Sequence, residues 1–326
     1  MDKIAALPKQ ARSDLFSETA TKMDLTPVVA EKDFWVVWVL DKIFSDPELK
    51  DNLMFKGGTS LSKIYGLIER FSEDIDLILN WEILTNEDPQ NNRSKGKQDK
   101  FNKELNVKAR EYIEKILLPK ISQLLGEHCK CIYSIKHDMA IEIIFPAIFQ
   151  NDAILPYVLL EIGPLAQWFP SKEFEISPYS AQAFPELFEK NRCNVNAVIA
   201  ERTFWEKATI LHQEANRSQE KAIPLRYSRH YYDLALMAQS TIKDRALKNT
   251  RLLENVVDFK KKFYPVGWAK YDEAKPGTFK LVPPAYRLKE LKDDYKAMKE
   301  MIFGEYVEFD RILKILQDLE KEINLL

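Results

Sequence analysis

The sequence predicts a mixed α/β protein whose carboxyl-terminal half is mostly helical. Three observations support this fold class. Residues 14–45 carry apolar side chains at helical spacing, residues 52–79 hold two short apolar runs on either side of a glycine turn, and residues 194–326 return to helical periodicity. The predicted order is therefore amino-terminal helices, an α/β core with a small mixed sheet, and a helical region.

The amino-terminal helices are predicted from one broad apolar face. Val29, Phe34, Val37 and Leu40 recur at intervals that place them on the same side of a helix. The run EKDFW at residues 31–35 has the composition of an exposed charged turn before an aromatic face. We interpret it as a structural element that packs this helix against the core.

A strand, a turn, a helix and a second strand are predicted in residues 52–79. The apolar run NLMFK stops at Gly57 and Gly58, which indicates a strand that ends in a tight turn. The next stretch, SLSKIYGLIERF, has helical spacing, and Ser60 is a suitable N-cap residue. The run DIDLIL alternates acidic and apolar residues, which is typical of a strand.

The remaining elements are predicted from coarser signals. Residues 85–103, a polar segment with Pro and Gly, are expected to form a mobile surface loop. A helix at residues 104–125, strands at 130–146 and 154–163, and a Pro-rich connection at 164–185 are predicted to follow it.

Two domains are predicted. Residues 1–193 form the α/β core with its amino-terminal helices, and residues 194–326 form a mainly helical domain with a break at 270–284.

Composition excludes several classes of protein. The chain has 326 residues and a formal net charge of −2, so no global positive field attracts nucleic acid. Three cysteines do not make a disulfide framework, which favours a reducing cytoplasm. The HCKC run at 128–131 lacks the second pair of ligands that a zinc site needs. No apolar run reaches the length of about 18 residues that a membrane span requires, so no membrane partner is expected.

Residues 57–60 have the composition of a phosphate-binding turn. Gly57 and Gly58 let the backbone approach a ligand closely because glycine has no Cβ, and Thr59 and Ser60 follow at the start of the predicted helix. Free N–H groups at a helix start favour anions.

An acidic pair follows on the second strand. Asp74 and Asp76 are two residues apart, so both carboxylates leave the same face of a strand. Two hard oxygen ligands suit Mg²⁺, with Mn²⁺ as a substitute, and paired metal ions can clamp the oxygens of a phosphoryl displacement. The alternative is a solvated acidic strand edge, since this short pattern is common.

The ordered set of motifs resembles a known family. The order strand, GG[ST], helix, DxD strand is similar to the first motif of the nucleotidyltransferase superfamily, which has a polymerase-β-like fold. The run GGTSLSKIYGLIERFSEDIDL resembles more closely the AbiEii/AbiGii toxin family of nucleotidyltransferases, whose mycobacterial relatives are the MenT toxins. The runs AEKDFWVVWVL, VLLEIG, ERTFWEKATILH and SRHYYDLALM resemble the same family, as does the run from Lys275 to Glu305. The resemblance thus spans most of the chain.

The family resemblance implies a third carboxylate on a neighbouring strand. Glu161 is a single acid inside the apolar run VLLEIG, where a buried unpaired carboxylate would be costly and a metal ion would remove that cost. Glu142 in AIEIIF has similar local chemistry. The match to the family's hydrophobic-acid-hydrophobic motif favours Glu161 over Glu142.

The helical region holds three further candidates, and the resemblance implies roles for two of them, Lys207 and Asp233. Lys207 is expected to contact the nucleoside triphosphate, and Asp233 to hold or orient Lys207 or the substrate. Arg229 lies one helical turn before Asp233 and is a candidate phosphate contact. The alternatives are a solvated Lys207 that pairs with Glu206 or Glu201, and a simple surface pair between Arg229 and Asp233. The helical domain is thereby expected to complete the active site.

The activity that the resemblance implies is transfer of a nucleoside monophosphate from an NTP to an acceptor hydroxyl with two Mg²⁺ ions. The implied acceptor is a tRNA 3′ end, and the implied partner is a cognate antitoxin. Two basic segments, residues 243–262 and 93–103, are candidate RNA contacts, although charge runs are usually solvated helix faces. The alternatives are a nucleotidyltransferase that modifies a protein or a small molecule, and a degenerate relative that only binds nucleotide or RNA.

Overall fold

The computed structural model describes residues 1–72, 74–151 and 154–326. These residues divide into two compact units. The first consists of Met1–Ile64 and Phe71–Val198, and the second of Tyr65–Arg70 and Ile199–Leu326. The strand at residues 193–198 crosses the domain boundary predicted after residue 193, and it belongs to the first unit because it pairs with two strands there. The sequence did not indicate that residues 65–70 belong with the helical unit.

The first unit is built on a mixed sheet that confirms the predicted α/β fold class. Its strands in the described part of the chain are β1 (Leu53–Lys56), β2 (Asp74–Leu79), β3 (Lys130–Tyr133), β4 (Ala140–Ile144), β5 (Val158–Gly163), β6 (Ser171–Ile176) and β7 (Cys193–Val198). The strand order is β3-β4-β5-β2-β1-β7-β6. The β2–β5 and β1–β7 pairs are parallel, and the other neighbours are antiparallel.

Helices complete the first unit. They are α1 (Asp2–Ala5), α2 (Lys9–Met23), α3 (Pro27–Ser45), α4 (Pro47–Asn52), α5 (Gly57–Lys63), α6 (Lys95–Tyr112), α7 (Leu118–Leu125) and α8 (Tyr179–Ala183), with a π-helical turn at Ile113–Leu117 between α6 and α7. Helix α3 packs against α2 and β7. Its side chains Phe34 and Trp35 share one apolar core with Phe55, Leu77 and Leu160 of the sheet, which confirms the predicted buried face.

The charged run at the start of α3 is buried. The Glu31 carboxylate accepts hydrogen bonds from the backbone N–H groups of Ile148 and Phe149, and Lys32 Nζ donates to the carbonyl of Leu155 at 2.7 Å. Asp33 pairs with Lys63 Nζ at 2.6 Å. Each charge therefore ties a different segment to α3, as buried polar groups must find partners. The structural role predicted for this run is confirmed.

Two predicted boundaries in the first unit are wrong. Helix α5 ends at Lys63 instead of continuing to residue 71, and Gly66 adopts a φ of +57° just beyond it. Helix α6 begins at Lys95 inside the predicted mobile loop, because Gln98, Phe101, Asn102 and Leu105 form a buried face at helical spacing.

Two predicted segments contain more structure than the sequence indicated. Residues 130–146 form an antiparallel hairpin of β3 and β4, not one strand, and Ser134 Oγ accepts a hydrogen bond from the His137 N–H in the connecting turn. The Pro-rich connection at 164–185 contains β6 and α8. Strand β6 pairs with β7 along its length, which the local sequence could not reveal.

The second unit is mainly helical, as predicted. Its helices in the described residues are α9 (Ala200–Ala215), α10 (Arg229–Ala238), α11 (Thr241–Leu247), α12 (Thr250–Phe263), α13 (Leu288–Ala297) and α14 (Phe309–Asn324), and short 3₁₀ turns occupy Gly267–Ala269, Tyr271–Glu273 and Ala285–Arg287. Helix α10 packs against both α9 and α14. Among the described residues, none of the helices has the length and apolar character to cross a bilayer.

The core of the first unit predicts a large difference between two isoleucines. We expect Ile43→Ala, at a fully buried position of α3, to lower the free energy of unfolding by about 2–5 kcal/mol through lost burial and a residual cavity. The matched change Ile135→Ala removes a fully exposed side chain and should alter stability by less than about 0.5 kcal/mol. Urea unfolding of both variants measures the difference, and equal costs would contradict the core assignment.

Candidate active site

Strand β2 carries the predicted acidic pair. Asp74 and Asp76 are half-buried on one face of the strand, while Ile75 and Leu77 between and beyond them lie in the core on the other face. The residues fold this way because apolar and acidic side chains alternate with the period of a strand. Both carboxylates therefore share one side of the sheet. Glu73, which belongs to the same motif, lies outside the described residues.

The register of the sheet places Glu161 beside this pair. Strands β2 and β5 are parallel, and Asp76 is directly opposite Glu161. Neighbouring strands are about 4.8 Å apart, and directly opposite residues point to the same face. The side chain of Glu161 is exposed, so the expectation of a buried carboxylate is wrong. The cross-strand register, not burial, supports Glu161 as the third acid.

The competing acid lies one strand further away. Glu142 is opposite Leu159, on β4, and β4 does not neighbour β2. Its carboxylate accepts a hydrogen bond of 2.7 Å from Ser134 Oγ. On the other side of β2, Lys56 of β1 is opposite Asp76. The sequence analysis did not include Lys56 among the candidate site residues, and only this strand pairing shows that it is a neighbour of Asp76.

Gly57 lies against the acidic pair. It adopts a φ of +82°, which L side chains rarely tolerate, and a Cβ built at this residue would lie 1.8 Å from Oδ2 of Asp76. The glycine turn and the acidic strand, which are 19 residues apart in the sequence, are therefore in direct contact. Only glycine leaves room for the Asp76 carboxylate.

Thr59 and Ser60 use their hydroxyl groups inside the protein. Thr59 Oγ1 donates to the carbonyl of Asp74 at 2.5 Å, and Ser60 Oγ donates to the carbonyl of Gly57 at 2.8 Å. The predicted N-cap role of Ser60 is wrong, because Lys56 precedes the first turn of α5. A phosphate contact in this segment would therefore use the backbone N–H groups of the first turn of α5, residues 57–60, and not the two hydroxyls.

The donor set of Asp74, Asp76 and Glu161 fits Mg²⁺. The ligands are hard carboxylate oxygens, and the register brings all three to one face of neighbouring strands. Within residues 1–72, 74–151 and 154–326, no three His, Cys, Asp or Glu side chains stand already arranged around a common metal position. Mg²⁺ is usually bound through one or two carboxylates together with substrate phosphates and water, so it does not need a closed protein cage.

A second group of charges lies in the helical unit around Asp233. This residue of α10 is completely buried. Arg70 makes two hydrogen bonds with its carboxylate, Nε to Oδ1 and Nη2 to Oδ2, both at 2.7 Å. Lys207 of α9 donates from Nζ to Oδ2, also at 2.7 Å. Two cations thus share one carboxylate.

Electrostatics fix the protonation of this cluster. Burial alone raises the pKa of Asp233, but Arg70 and Lys207 outweigh it and hold the pKa well below its usual range. Burial lowers the pKa of Lys207, and Asp233 opposes that change. Asp233 therefore holds Lys207 in place, which is the contact that the family resemblance implied. The sequence analysis did not predict that Arg70 also binds Asp233. Its motif RFSEDIDL was recognised, but nothing local to the sequence connects Arg70 to a residue 163 positions away.

Two neighbours on α10 complete the surroundings. Arg229 is half-exposed, and its charge acts on Lys207 and on His230. The alternative of a surface pair between Arg229 and Asp233 is wrong, because Asp233 is buried and bonded to other cations. Burial and the nearby cations lower the pKa of His230 well below its usual value, so the ring is neutral, and its buried Nδ1 has no hydrogen-bond partner in the described structure.

Both candidate RNA surfaces carry exposed positive charge. In 243–262, Lys243, Arg245 and Lys261 form ion pairs, and Lys248 and Arg251 are exposed. In 93–103, Lys95, Lys97, Lys100 and Lys103 are exposed on α6, and Lys100 lies 3.7 Å from Glu104.

Contact between Gly57 and Asp76 predicts the effect of Gly57→Ala. The new methyl group collides with the carboxylate and the backbone is strained, so we expect displacement of Asp76 and loss of enzymatic activity by about tenfold or more. Gly96→Ala is the matched control, because a Cβ there meets nothing within 4 Å. Kinetic assays and unfolding curves of both variants check this, and an active Gly57→Ala enzyme would contradict the close approach.

Asp233 predicts a dependence of stability on pH. Its pKa is depressed in the folded protein, so its contribution to stability is complete above the unfolded value of about 3.9 and is lost as pH falls toward the lower folded value. We expect Asp233→Asn to cost about 3–5 kcal/mol at pH 7, because two buried cations lose their counter-charge, and this difference should narrow below about pH 4. Urea unfolding across pH measures it, with the exposed Asp310→Asn as control. If the stability difference between Asp233→Asn and the wild type did not change with pH, Asp233 would not be the buried ionised partner of Arg70 and Lys207.

Comparison with known proteins identifies the family. A family model described as the nucleotidyl transferase AbiEii toxin of type IV toxin–antitoxin systems matches residues 38–315. A search of curated protein sequences found no significant match. Among solved structures, the MenT4 nucleotidyltransferase toxin of Mycobacterium tuberculosis H37Rv is similar, with 15% identity, a TM-score of 0.44, and coverage of 98% of this chain and 99% of that chain. Since the family model spans most of the chain, the protein belongs to the AbiEii family of nucleotidyltransferase toxins.

Proposed function

We propose that this nucleotidyltransferase moves a nucleoside monophosphate from an NTP to a hydroxyl group at the 3′ end of tRNA. The hydroxyl oxygen attacks the α-phosphate and its proton passes to solvent, while the bond from the α-phosphate to the bridging oxygen breaks and pyrophosphate leaves with the electron pair. The observation that carries the proposal is the opposition of Asp76 and Glu161 on parallel strands, with Gly57 packed against Asp76. Blocking a tRNA 3′ end would halt translation, as a growth-arresting toxin requires.

In this proposal, Asp74, Asp76 and Glu161 would hold two Mg²⁺ ions, or Mn²⁺ in their place. Bound metal ions would supply Lewis-acid stabilisation of the phosphate oxygens. The sheet fixes the Cα positions of the three acids before any ligand arrives, because their strands are paired by backbone hydrogen bonds. Gly57 keeps space free beside the Asp76 carboxylate, and the N–H groups of Gly57 and Gly58 are suited to phosphate oxygens.

Lys207 and Arg229 are proposed to neutralise negative charge on the triphosphate. Support comes from the buried Asp233 carboxylate, which keeps Lys207 in one position through a hydrogen bond of 2.7 Å. The half-exposed Arg229 adds a second positive charge near Lys207. The participation of the helical unit in the active site stays a prediction.

The proposed acceptor is tRNA, and the proposed partner is an antitoxin protein. The choice of tRNA rests on the family resemblance, and the exposed lysines of α6 provide a surface suited to RNA phosphates. Membership of a toxin–antitoxin family implies a cognate antitoxin.

Label transfer tests this function. Purified protein is incubated with each of the four α-labelled NTPs, Mg²⁺ and total tRNA, and we expect label on tRNA with one preferred nucleotide. Asp76→Asn should reduce the rate by about a thousandfold, because it removes a negatively charged ligand from the metal site. The exposed Asp51→Asn makes the same chemical change outside the site and should leave the rate unaltered.

Each other outcome overturns a stated part. Label on a protein or small molecule would replace the tRNA acceptor. Binding of nucleotide without any transfer would indicate a degenerate relative. Transfer that persists in Asp76→Asn would contradict the metal-ligand assignment.

A further inference from the structure

We infer that Trp168 is the surface on which the nucleobase of the NTP stacks. This side chain belongs to the connection between β5 and β6, and it packs on the face of the sheet that carries Asp74 and Asp76. The inference deepens the proposed function and rests on it, since it takes the two acids as the place where the nucleotide reacts. It concerns only residues of the first unit.

The connection at residues 164–170 crosses the sheet over one of its faces. Strands β5 and β6 are separated in the sheet by β2, β1 and β7, so the chain between them has to pass three strands. On the way, two of its side chains pack against a small apolar cluster that is separate from the main core. The side chains from the connection are Ala166 and Trp168, and those from the strands are Met54, Ile78 and Val198.

Alternation along the strands shows that this cluster lies on the face of the acids. Ile78 is two residues beyond Asp76 on β2, so both side chains leave the same face. Met54 of β1 is directly opposite Ile78, and Lys56 is directly opposite Asp76. The apolar cluster is therefore the next layer on the acidic face, about 7 Å along the strand from Asp76.

Three kinds of group follow one another along this face. Gly57 comes directly after β1 and contacts the Asp76 carboxylate. Because β1 and β2 are antiparallel, Ile78 and the Trp168 that packs beside it lie on the other side of Asp76 from the glycine turn. An NTP has its parts in the same order. With its outer phosphates at the glycine turn and its α-phosphate at the acids, its ribose carries the base toward Trp168.

The ring of Trp168 is suited to stacking. Trp35, Trp38 and Trp205 are buried, and each packs against another aromatic ring. Trp168 is half-buried, and in the described part of the chain no aromatic ring, arginine or lysine lies over it. The apolar cluster thus restricts the ring without covering all of it. Such a surface accepts a base because every nucleobase has a π face.

Isothermal titration calorimetry of NTP binding, with Mg²⁺ and without an acceptor, tests the inference. We expect Trp168→Ala to weaken binding of the NTP that binds most tightly by about tenfold or more, because base stacking is lost. Trp168→Phe keeps an aromatic surface and should retain most of the affinity. Inorganic tripolyphosphate has no base, so it should bind Trp168→Ala as it binds the wild type. This comparison separates stacking from a structural effect on the acids.

Trp268→Ala is the matched control. Trp268 is also half-buried, but its ring is already covered, because Cζ of Arg217 lies 4.6 Å and Nζ of Lys221 lies 5.0 Å from the ring centroid. This variant should bind every NTP as the wild type does. Thermal unfolding of each variant shows that the comparison is made between folded proteins.

Three binding results would overturn the inference: NTP binding by Trp168→Ala equal to that of the wild type, an equal loss of NTP and tripolyphosphate binding in this variant, or no recovery of NTP binding in Trp168→Phe. A transfer assay gives a fourth. If Trp168→Ala raised the KM for tRNA and left the KM for the NTP unchanged, the ring would hold a base of the acceptor instead.

The inference and the proposed function can fail separately. Binding of NTP that depends on Trp168, without transfer to any acceptor, would support the inference and refute the proposed function. Transfer to tRNA with unaltered NTP binding by Trp168→Ala would do the reverse.

Discussion

The register between β2 and β5 is the constraint on which the acidic site depends. Because side chains alternate along a strand, a shift of one residue would send Glu161 to the face opposite Asp74 and Asp76. The register is held because Ile75 and Leu77 on β2 and Leu160 on β5 all belong to the apolar core. Burial of one face thus decides which residues meet on the other, and the acids are brought together by their apolar neighbours.

Buried charge is used in two ways in this protein. At the start of α3, Glu31, Lys32 and Asp33 each bond to a different segment of the first unit, and their role is to hold those segments in place. Around Asp233, in contrast, two cations share one carboxylate. In the first arrangement each charged group bonds to the backbone or to an opposite charge, whereas in the second one buried carboxylate holds two cations from different segments of the chain.

The glycine turn at residues 57–60 contacts the acidic strand β2 directly. Phosphate binding is expected at the glycine-rich start of a helix in any protein, so this expectation is not specific to the present chain. Here the hydroxyls of Thr59 and Ser60 bond to the chain itself, and one of them ties α5 to the carbonyl of Asp74. The turn therefore positions the acidic strand as well as offering backbone donors, and Gly57 is required for the first of these tasks by its close approach to Asp76.

The sequence by itself determined the α/β class, the strand that carries Asp74 and Asp76, and the helices that carry Lys207 and Asp233, because alternation and helical spacing are local patterns. The sequence prediction began α6 too late, because the first buried residues of this helix are partly polar and give a weak local signal. It missed β6, because the pairing of an edge strand is also a weak local signal. Only the tertiary structure decided that Glu161 and not Glu142 neighbours Asp76, and that Arg70 meets Asp233. Strand order and contacts across 163 residues depend on how the whole chain packs, and no local pattern of residue types contains that information.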